Sequence, residues 1–496
     1  MAREFYPIGT YGGHPHRYDL LPFRYTRFDG EELLVNEAGE YEFVPQGVVH
    51  QLVHRSLPTG TSLYQTLKAK HFLFDDESAP LLDVLATKYR TKKAFLERGV
   101  TLHIMVLTLR CEHSCHYCQV SRQTPDRTTY DMSTVTIDRS LAFMMRLPSE
   151  HLTLEFQGGE PLLAFDRLQY AVRTAKNLAA KHSKVLTIVV CTNLAVATDD
   201  MLAYFRDEEI KISTSLDGPA IVHNANRQRS GENSYDVTIA NINRARAYVG
   251  HENVGALMTA SRFSLAYPRE IVDEYVRLGF GTIFLRAINP YGFATKAAER
   301  TGYDAAAFLR FYTTALDHII ALNRHGTNLM EVYAKLILTK ILTPYTTGYV
   351  DLQSPAGAGV SVLVYNYDGG IYASDESRML AEMHDHTFRL GNVHQDTYAT
   401  MVQSPAYQYL LSAGCNESLP GCADCAYQTY CGADPVRHHA TQHDAFGHRP
   451  TSSFCQKNMG IITHLFRLLR AADPAVLRIF FAWIRDTPHE ELTRCA

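Results

Sequence analysis

Three cysteines stand close together in the stretch CEHSCHYC. Cys111, Cys115 and Cys118 are separated by three and then by two residues. Three thiolates can hold three irons of a [4Fe–4S] cluster and leave the fourth iron open to a substrate or cofactor. A zinc site would need a fourth ligand, which His113 or His116 could supply. The spacing therefore predicts a metal centre, and an open cluster suits catalysis better than storage.

A second group of cysteines lies in the C-terminal part of the sequence. Cys422, Cys425, Cys431 and Cys455 follow the pattern C-x2-C-x5-C-x23-C. Four thiolates can hold either a [4Fe–4S] cluster or a structural zinc ion, and the spacing favours neither. Cys415 precedes this group without fitting the pattern, and we interpret it as a spare thiol. The two groups predict two metal sites in two domains.

Short apolar runs alternate with amphipathic helical stretches between residues 99 and 300. Six runs have the length and composition of strands, namely LHIMVLTL, LTLEF, LTIVVCT, IKISTSL, VGALMTA and IFLRAI. Repeated strand–helix alternation indicates a parallel sheet of the α/β class, here a partial (β/α)6 barrel. Active sites of such folds lie at the carboxyl ends of the strands. We therefore expect the residues that follow these runs to converge.

Polar or glycine-rich motifs follow the second, third and fourth of these strands. Gly158 and Gly159, in the motif GGEP, permit the close approach of another backbone. Glu160 in the same motif can accept a hydrogen bond from an ammonium group. The next two strands are followed by further polar side chains, namely Thr192, Asn193, Ser215 and Asp217.

The regions on either side of the barrel predict separate modules. Residues 1–98 contain the hairpin pattern ELLVNEAGEYEFVP and two helical stretches, which predict a winged-helix-like module. Residues 301–350 predict a helical linker. Residues 351–460 combine the hairpin pattern VSVLVYNYDGGIYAS with the second cysteine group, and residues 461–496 predict two terminal helices.

The composition and the termini exclude several classes of protein. The net charge of −4 gives no sign of the basic face that binds nucleic acid. The first residues, MAREFYPIGTYGGHPHRYD, lack the apolar core of a signal peptide, and the stretch VLRIFFAWI is too short to span a membrane. We therefore predict a cytoplasmic protein without nucleic-acid or membrane partners, in which the ten cysteines are metal ligands or free thiols.

The spacing C-x3-C-x2-C, with Tyr117 before the last cysteine, resembles the radical S-adenosylmethionine (SAM) superfamily. The resemblance implies that the amine and carboxylate of SAM bind the open iron and that GGEP binds the SAM amino group. It also implies that Ser215 and Asp217 hold the ribose hydroxyls, and that the residues after the third strand shape the pocket. Arg227 or Arg229 would pair with the SAM carboxylate.

The chemistry that this resemblance implies is the reductive cleavage of SAM. The reduced cluster would pass one electron to SAM, and the resulting 5′-deoxyadenosyl radical would abstract a hydrogen atom from a substrate. The electron would come from a donor such as flavodoxin or ferredoxin. The protein would contribute orientation and the exclusion of water.

The second cysteine group, behind such a barrel, resembles the SPASM extension of peptide-modifying enzymes. That resemblance implies an auxiliary [4Fe–4S] cluster on the four cysteines. Ser354, Ser374 and Pro435 replace cysteines of a further auxiliary cluster, so we infer that one auxiliary cluster is lost and one is kept. Asp375 occupies the position of the catalytic base in a sulfatase-maturing relative. The alternative for Asp375 is a solvated acid beside Glu376.

The whole chain, from LPFRYTRFDGEELLVNEAGEYEFV to FGHRPTSSFCQKNMGIITHLF, most closely resembles the HxsB family of radical SAM maturases in the His-Xaa-Ser system. The resemblance implies a precursor peptide or protein with His-Xaa-Ser repeats, an HxsC-like second radical SAM enzyme and an HxsD-like accessory protein. The N-terminal module would then hold a leader peptide by strand addition. Two alternatives remain: a non-catalytic iron–sulfur or zinc scaffold that presents the peptide to a partner enzyme, and radical chemistry on a small molecule.

Overall fold

The described residues of the chain form two compact units. The computed structural model describes residues 18–76, 78–231 and 233–486. The N-terminal unit comprises Met1–Ala94, Thr339–Thr346 and Pro420–Tyr430. The barrel unit comprises Phe95–Leu338, Thr347–Leu419 and Cys431–Ala496. The segment on which the absence of a signal peptide was predicted lies largely outside the described residues.

A small antiparallel sheet forms the centre of the N-terminal unit. The strands of this unit are β1 (Asp19–Leu20), β2 (Phe23–Phe28), β3 (Glu31–Asn36), β4 (Tyr41–Pro45) and β5 (Leu73–Phe74), and they form two sheets. Its helices are α1 (Val48–Val53), α2 (Ser62–Ala69) and α3 (Ala79–Lys93). Strands β2, β3 and β4 pair in that order, and β1 pairs with β5. The sequence predicted the β3–β4 hairpin, α1 and α3, but neither β2 nor α2.

The core of the N-terminal unit lies between this sheet and two of the helices. Leu34 of β3 and Val44 of β4 cluster with Leu52 of α1 and Leu67 of α2, and all four side chains are fully buried. Burying a side chain of this size contributes about 1.5–3 kcal/mol. This packing fixes which face of the hairpin points inward, because a slip by one residue would expose every apolar side chain of that face.

A mostly parallel sheet dominates the barrel unit. The strands that begin in this unit are β6 (Leu102–Thr108), β7 (His151–Gly158), β8 (Val185–Cys191), β9 (Lys211–Ser215), β10 (Val254–Ala260), β11 (Thr282–Ile283), β12 (Leu285–Ala287), β13 (Met330–Glu331), β14 (Val362–Tyr365), β15 (Gly370–Tyr372) and β16 (Arg389–Asn392). In the described part of the chain, the large sheet has nine strands in the order β12-β10-β9-β8-β7-β6-β14-β15-β16. The six predicted runs are all strands of this sheet and pair in parallel. The α/β prediction is therefore confirmed.

Helices alternate with these strands and cover the sheet. The helices that begin in the barrel unit are α4 (Phe95–Arg98), α5 (Thr134–Met145), α6 (Phe165–Lys181), α7 (Asp199–Asp207), α8 (Ala220–Asn226), α9 (Ser234–Val249), α10 (Pro268–Arg277), α11 (Phe293–Lys296), α12 (Ala298–Thr301), α13 (Ala305–Arg324), α14 (Val332–Leu342), α15 (Asp375–Ala381), α16 (Tyr398–Val402), α17 (Pro405–Gly414), α18 (Pro435–Gln442), α19 (Ser453–Ala471) and α20 (Pro474–Arg485). Helix α6 illustrates their amphipathic character, since Leu168, Val172, Ala175 and Ala179 form its buried face. The two predicted terminal helices are the end of α19 and α20, and both pack against α13.

The second predicted hairpin extends the barrel sheet. Strands β14 and β15 form this hairpin, and β14 runs parallel to β6, with Val362 opposite Leu102. Strand β15 runs antiparallel to β14, and helix α15 begins three residues after β15. Over the described ranges, no helix combines the length and the apolarity needed to cross a bilayer.

Candidate active site

A cavity of about 220 Å³ lies among the residues that follow the barrel strands. Predicted site residues that line it are Cys111, Cys115, Tyr117, Cys118, Gly158, Gly159, Thr192, Asn193, Ser215, Arg227 and Asp375. Glu160 and Asp217 lie behind this lining and are fully buried. Arg229, the alternative to Arg227, is not part of the lining. Motifs that are far apart in sequence thus meet in one cavity.

The loop that carries the three cysteines is held by backbone hydrogen bonds. Ser114 N donates to Gln228 O at 2.7 Å, and Phe293 N donates to Cys118 O at 2.8 Å. Because a backbone bond depends little on side-chain identity, the sequence alone did not indicate these partners. The loop is therefore tied to the segments after β9 and β12 as well as to β6.

An ion pair at the end of β6 fixes the start of this loop. Arg110 Nε and Nη2 each donate to a different oxygen of Asp131 at 2.8 Å, and Thr108 Oγ1 donates to the same carboxylate at 2.6 Å. Arg110 Nη2 also donates to Leu163 O at 2.5 Å. A bidentate arginine–carboxylate pair stabilises the structure and also fixes the relative orientation of the two side chains. Arg110 thus joins the cysteine loop to the turn that follows GGEP.

The two glycines of GGEP are required by a close approach of two strands. A Cβ atom on Gly158 would lie 2.0 Å from Thr108 O, and one on Gly159 would lie 2.1 Å from Arg110 O. Gly158 also has a φ of 146°, which side chains rarely allow. The sequence predicted a close approach at this motif, and the structure identifies the approaching backbone as the end of β6.

Glu160 connects the end of β7 to the end of β8. Its carboxylate accepts hydrogen bonds from Thr192 Oγ1 at 2.7 Å, from Asn193 N at 2.8 Å and from Leu162 N at 3.0 Å. Burial, together with the nearby Glu112, raises the pKa of Glu160 to about 8. Glu160 thus holds Thr192 and Asn193, which line the cavity, in place.

Asn193 links this carboxylate to the cysteine loop. Its side-chain amide donates to Glu112 Oε1 at 2.7 Å and lies 3.9 Å from Cys111 Sγ. Burial acts to raise the pKa of Glu112, but hydrogen bonds, foremost that of His113, together hold it below its usual value. The carboxylate of Glu112, next to Cys111, is therefore held in a fixed position.

The histidines that could complete a zinc site are engaged elsewhere. His113 Nδ1 lies 2.8 Å from Glu112 Oε1, and its Nε2 lies 3.1 Å from Ser234 Oγ. His116 Nε2 accepts from Arg300 Nη2 at 2.9 Å. Within residues 18–76, 78–231 and 233–486, no three His, Cys, Asp or Glu side chains converge on the position of a single metal ion. Three cysteines that line one cavity fit a [4Fe–4S] cluster, in which each thiolate binds a different iron.

Tyr117, Asp217 and Arg227 form a buried polar group beside the cysteines. Tyr117 OH donates to Asp217 Oδ2 at 2.5 Å, and Arg227 Nε lies 3.2 Å from Asp217 Oδ1. The guanidinium also lies over the Tyr117 ring, 5.4 Å from its centroid. Burial raises the pKa of Tyr117 well above its usual value, so the phenol remains a hydrogen-bond donor. Asp217 thus fixes Arg227, a cation that faces the cavity.

Asp375 is the first residue of helix α15 and faces the same cavity. Ser374 caps this helix by accepting from Ser377 N at 3.3 Å. Arg378 Nη2 lies 3.4 Å from Asp375 Oδ1, and the Asp375 side chain is 17% exposed. Asp375 is therefore a mostly buried acid in the cavity wall. Burial, together with the nearby Asp351, raises the pKa of the neighbouring Glu376 to about 8.

Sequence reasoning missed several further residues that line the cavity. The residues concerned include Gln157, Cys191, Ser213, Leu257, Arg286 and Met379. Two of them stand near strand ends, two residues before a polar position that was recognised, since Cys191 precedes Asn193 and Ser213 precedes Ser215. Since side chains alternate along a strand, this period of two was the signal that could have found them.

The second cysteine group is distributed over the two units. In the N-terminal unit, Cys425 N donates to Cys422 O at 3.0 Å. The segment that carries these two cysteines is tied to the β3–β4 hairpin, since Thr429 Oγ1 donates to Asn36 O at 3.2 Å and Tyr430 OH donates to Gly39 O at 3.0 Å. Arg24 of β2 also donates to the carbonyl of Ala423.

The other two cysteines of this group belong to the barrel unit. Cys455 lies in the first turn of α19, and its amide donates to Ser452 Oγ at 3.2 Å. Asn458, three residues further along the helix, donates to Cys431 Sγ at 3.6 Å. The auxiliary cluster itself remains a prediction.

The three residues that the sequence analysis interprets as replacements of cysteines, Ser354, Ser374 and Pro435, each have a role in the fold. Ser354 Oγ accepts from Asn416 N at 2.9 Å, and Ser374 caps α15. Pro435 is in the first turn of α18, after the cap Asp434. These roles suit serine and proline, and none of them needs a thiol.

Comparisons with known proteins agree with this geometry. Residues 105–285 match the model of the Radical SAM superfamily. An uncharacterised protein of Methanothermobacter thermautotrophicus is 28% identical over 182 residues, and the match covers 36% of this chain and 65% of that protein.

Two solved structures share the fold at low sequence identity. Native anSMEcpe with bound AdoMet and the Cp18Cys peptide has a TM-score of 0.61 and 16% identity, with coverage of 75% of this chain and 98% of its own. Streptococcus suis SuiB bound to the precursor peptide SuiA has a TM-score of 0.52 and 14% identity, with coverage of 88% and 98%. The matched domain carries the three-cysteine loop and most of the cavity lining. Residues 105–285 are therefore similar to the Radical SAM superfamily, and the two solved structures share the fold of most of the chain.

Proposed function

We propose that this enzyme modifies a ribosomally made peptide of the His-Xaa-Ser system, as a maturase closest to HxsB. The observation that carries the proposal is that two kinds of residue line the same cavity. One part consists of the three cysteines and the predicted SAM-binding residues, and the other includes Cys191, Arg286 and Asp375. The second part is where a substrate would lie. Both anSMEcpe and SuiB have been solved with peptides, which supports a peptide substrate.

The residues of this chain would bind and orient the cofactors. Cys111, Cys115 and Cys118 would hold the cluster, and Arg227, fixed by Asp217, would pair with the SAM carboxylate. The backbone beside Gly158 and Gly159 would meet the SAM amino group, and Ser215 would meet the ribose. When bound, the cluster and SAM supply a 5′-deoxyadenosyl radical.

Asp375 would act as a base toward the substrate. Its carboxylate lies in the cavity wall and is held by Arg378 from within the same helix. A carboxylate at this place can accept the proton that a substrate loses once a hydrogen atom and an electron have been removed.

The remaining modules would serve the peptide and the electron supply. Cys422, Cys425, Cys431 and Cys455 would hold one auxiliary [4Fe–4S] cluster that relays electrons or stabilises the fold. A leader peptide would add a strand to β4 of the N-terminal hairpin. The partners would be an HxsC-like enzyme, an HxsD-like accessory protein and a flavodoxin or ferredoxin, all in the cytoplasm.

The test is SAM-dependent modification of a defined peptide. The full-length protein is purified without oxygen, reduced, and given SAM, a synthetic peptide with His-Xaa-Ser repeats and the two partner proteins. We expect a change in peptide mass that requires SAM, and no change for a control peptide whose repeats carry Ala in place of His and Ser. We also expect Asp375→Asn to form 5′-deoxyadenosine but at least about tenfold less modified peptide. An unchanged peptide alongside SAM cleavage would overturn the peptide proposal.

A further inference from the structure

A fourth cysteine lies in the cavity and is outside the three-cysteine motif. Cys191 is the last residue of β8 and lines the cavity together with Asp375 and Arg286. In the sheet it stands opposite Ser213 of β9, which is also part of the lining. Its thiol is therefore on the substrate part of the cavity and is carried by a rigid strand.

Two polar neighbours influence the Cys191 thiol. They are the carboxylate of Glu155 and the side chain of Ser213. Gln157 Nε2 donates to Glu155 Oε1 at 2.5 Å and so fixes that carboxylate in turn. Burial and the negative charge of Glu155 raise the pKa of Cys191 well above its usual value. The residue is thus a neutral thiol, which retains its hydrogen.

A neutral thiol in a radical-forming cavity has a specific use. A thiolate is a nucleophile and metal ligand, whereas a thiol can give a hydrogen atom to a carbon radical. None of the roles assigned above to the cluster, SAM or Asp375 uses Cys191. We propose that Cys191 is a catalytic residue that donates its sulfur-bound hydrogen atom to carbon radicals formed in this cavity.

The step balances in atoms and electrons. The S–H bond of Cys191 breaks and a C–H bond forms on the carbon radical, which leaves a thiyl radical on Cys191. One electron from an external donor of the flavodoxin or ferredoxin class, or from dithionite in a test, and one proton from solvent restore the thiol. A substrate that takes this route gains back the hydrogen it lost, so its oxidation state is unchanged, in contrast to the route through Asp375.

The decisive experiment uses the exchange of a thiol hydrogen with solvent. The wild-type protein in D₂O buffer is given SAM and dithionite but no peptide, and the 5′-deoxyadenosine is analysed by mass spectrometry. Without a substrate, the adenosyl radical is the carbon radical to which this thiol would donate. We expect most of the product to contain one deuterium from the S–D group. Since no peptide is used, the result is independent of the proposed function.

Two variants separate donation by Cys191 from other sources of deuterium. Cys191→Ser keeps a small hydrogen-bonding side chain beside Glu155, but the serine O–H bond is too strong to give a hydrogen atom to a carbon radical. We therefore expect the deuterated fraction of 5′-deoxyadenosine to fall at least about fivefold. The iron and sulfide content of the variant should equal that of the wild type. Cys415→Ser replaces a thiol outside the cavity, so its 5′-deoxyadenosine should contain the same deuterated fraction as the wild-type product. A wild-type product without deuterium, or Cys191→Ser with the wild-type fraction, would overturn the proposal.

Discussion

Thr192 Oγ1 donates a hydrogen bond to Glu160 Oε1 across 2.7 Å, and this bond ties the GGEP turn to the end of the neighbouring strand. Glu160 has no exposed surface, and all of its partners are donors. Glu160 thus shapes the cavity indirectly, because it holds Thr192 and Asn193 in place. In the apo-protein, the shape of this wall therefore depends on a carboxylate that is buried behind the lining residues.

Replacing this carboxylate by an amide tests that dependence. Glu160→Gln directs an NH₂ group toward N–H and O–H donors, so we expect the free energy of unfolding to fall by about 1–3 kcal/mol. Because Asn193 then loses its anchor, SAM binding should weaken about tenfold. Denaturant titration of the apo-protein and equilibrium dialysis measure the two effects. Unchanged stability and binding would show that the hydrogen bonds of Glu160 are dispensable.

The glycines of the same motif give a prediction about packing. Gly158→Ala places a methyl group 2.0 Å from Thr108 O, so one of the two strands must shift. We expect a loss of at least about 3 kcal/mol of stability, measured by chemical denaturation. The matched control is Gly281→Ala, since a Cβ atom there meets nothing within 4 Å. Equal stability of the two variants would contradict the close approach of β6 and β7.

The ion pair at the end of β6 predicts how firmly the cluster is held. Asp131→Asn removes the bidentate partner of Arg110, and we expect a loss of about 1–3 kcal/mol together with reduced iron content after purification. Asp126→Asn changes an exposed acid of the same loop and serves as the control. If Asp131→Asn retained iron as well as Asp126→Asn does, the pair would have no part in positioning the cysteines.

The buried His103 predicts a dependence of stability on pH. Burial lowers the pKa of His103 to about 3, and its Nδ1 lies 3.0 Å from Tyr365 OH. The unfolded chain binds a proton at this histidine below about pH 6.5, whereas the folded protein does not, so stability falls as the pH drops from 6.5 toward 3. This residue accounts for about 2 kcal/mol of the loss between pH 7 and pH 5.

A substitution isolates this contribution. His103→Gln should show a fall in stability between pH 7 and pH 5 that is smaller by about 2 kcal/mol, although the variant is less stable at pH 7. The control is His151→Gln at an exposed position, which should leave the pH profile unchanged. Parallel profiles for His103→Gln and the wild type would contradict a neutral buried histidine.

The barrel could be predicted well because its strands have a strong signal. Strand β6 reads LHIMVLT, and it is buried along nearly its whole length, as a strand covered on both faces must be. Three cysteines, two glycines and a Ser-x-Asp motif at successive strand ends then located the cavity. These signals are local, so one sequence contains them in full.

Other features depend on contacts that are distant in sequence. The pattern GGE indicated a functional glutamate, but its oxygens face Thr192 and Asn193, and no spacing reveals that direction. The hairpin of β14 and β15 was recognised, but its pairing with β6 depends on tertiary contacts that a sequence pattern does not show. Cys191 was passed over because a lone cysteine at a strand end has no partner in sequence, only in space.

The formation of 5′-deoxyadenosine tests the central claim most directly. The anaerobically purified wild-type protein, given dithionite and SAM, should contain iron and sulfide and release 5′-deoxyadenosine. Cys115→Ala should abolish this release while Cys415→Ala retains it, because only the first of these thiols lies in the cavity. A wild-type protein that binds iron but releases no 5′-deoxyadenosine even with peptide and partners, or a Cys115→Ala variant that still releases it, would contradict the account.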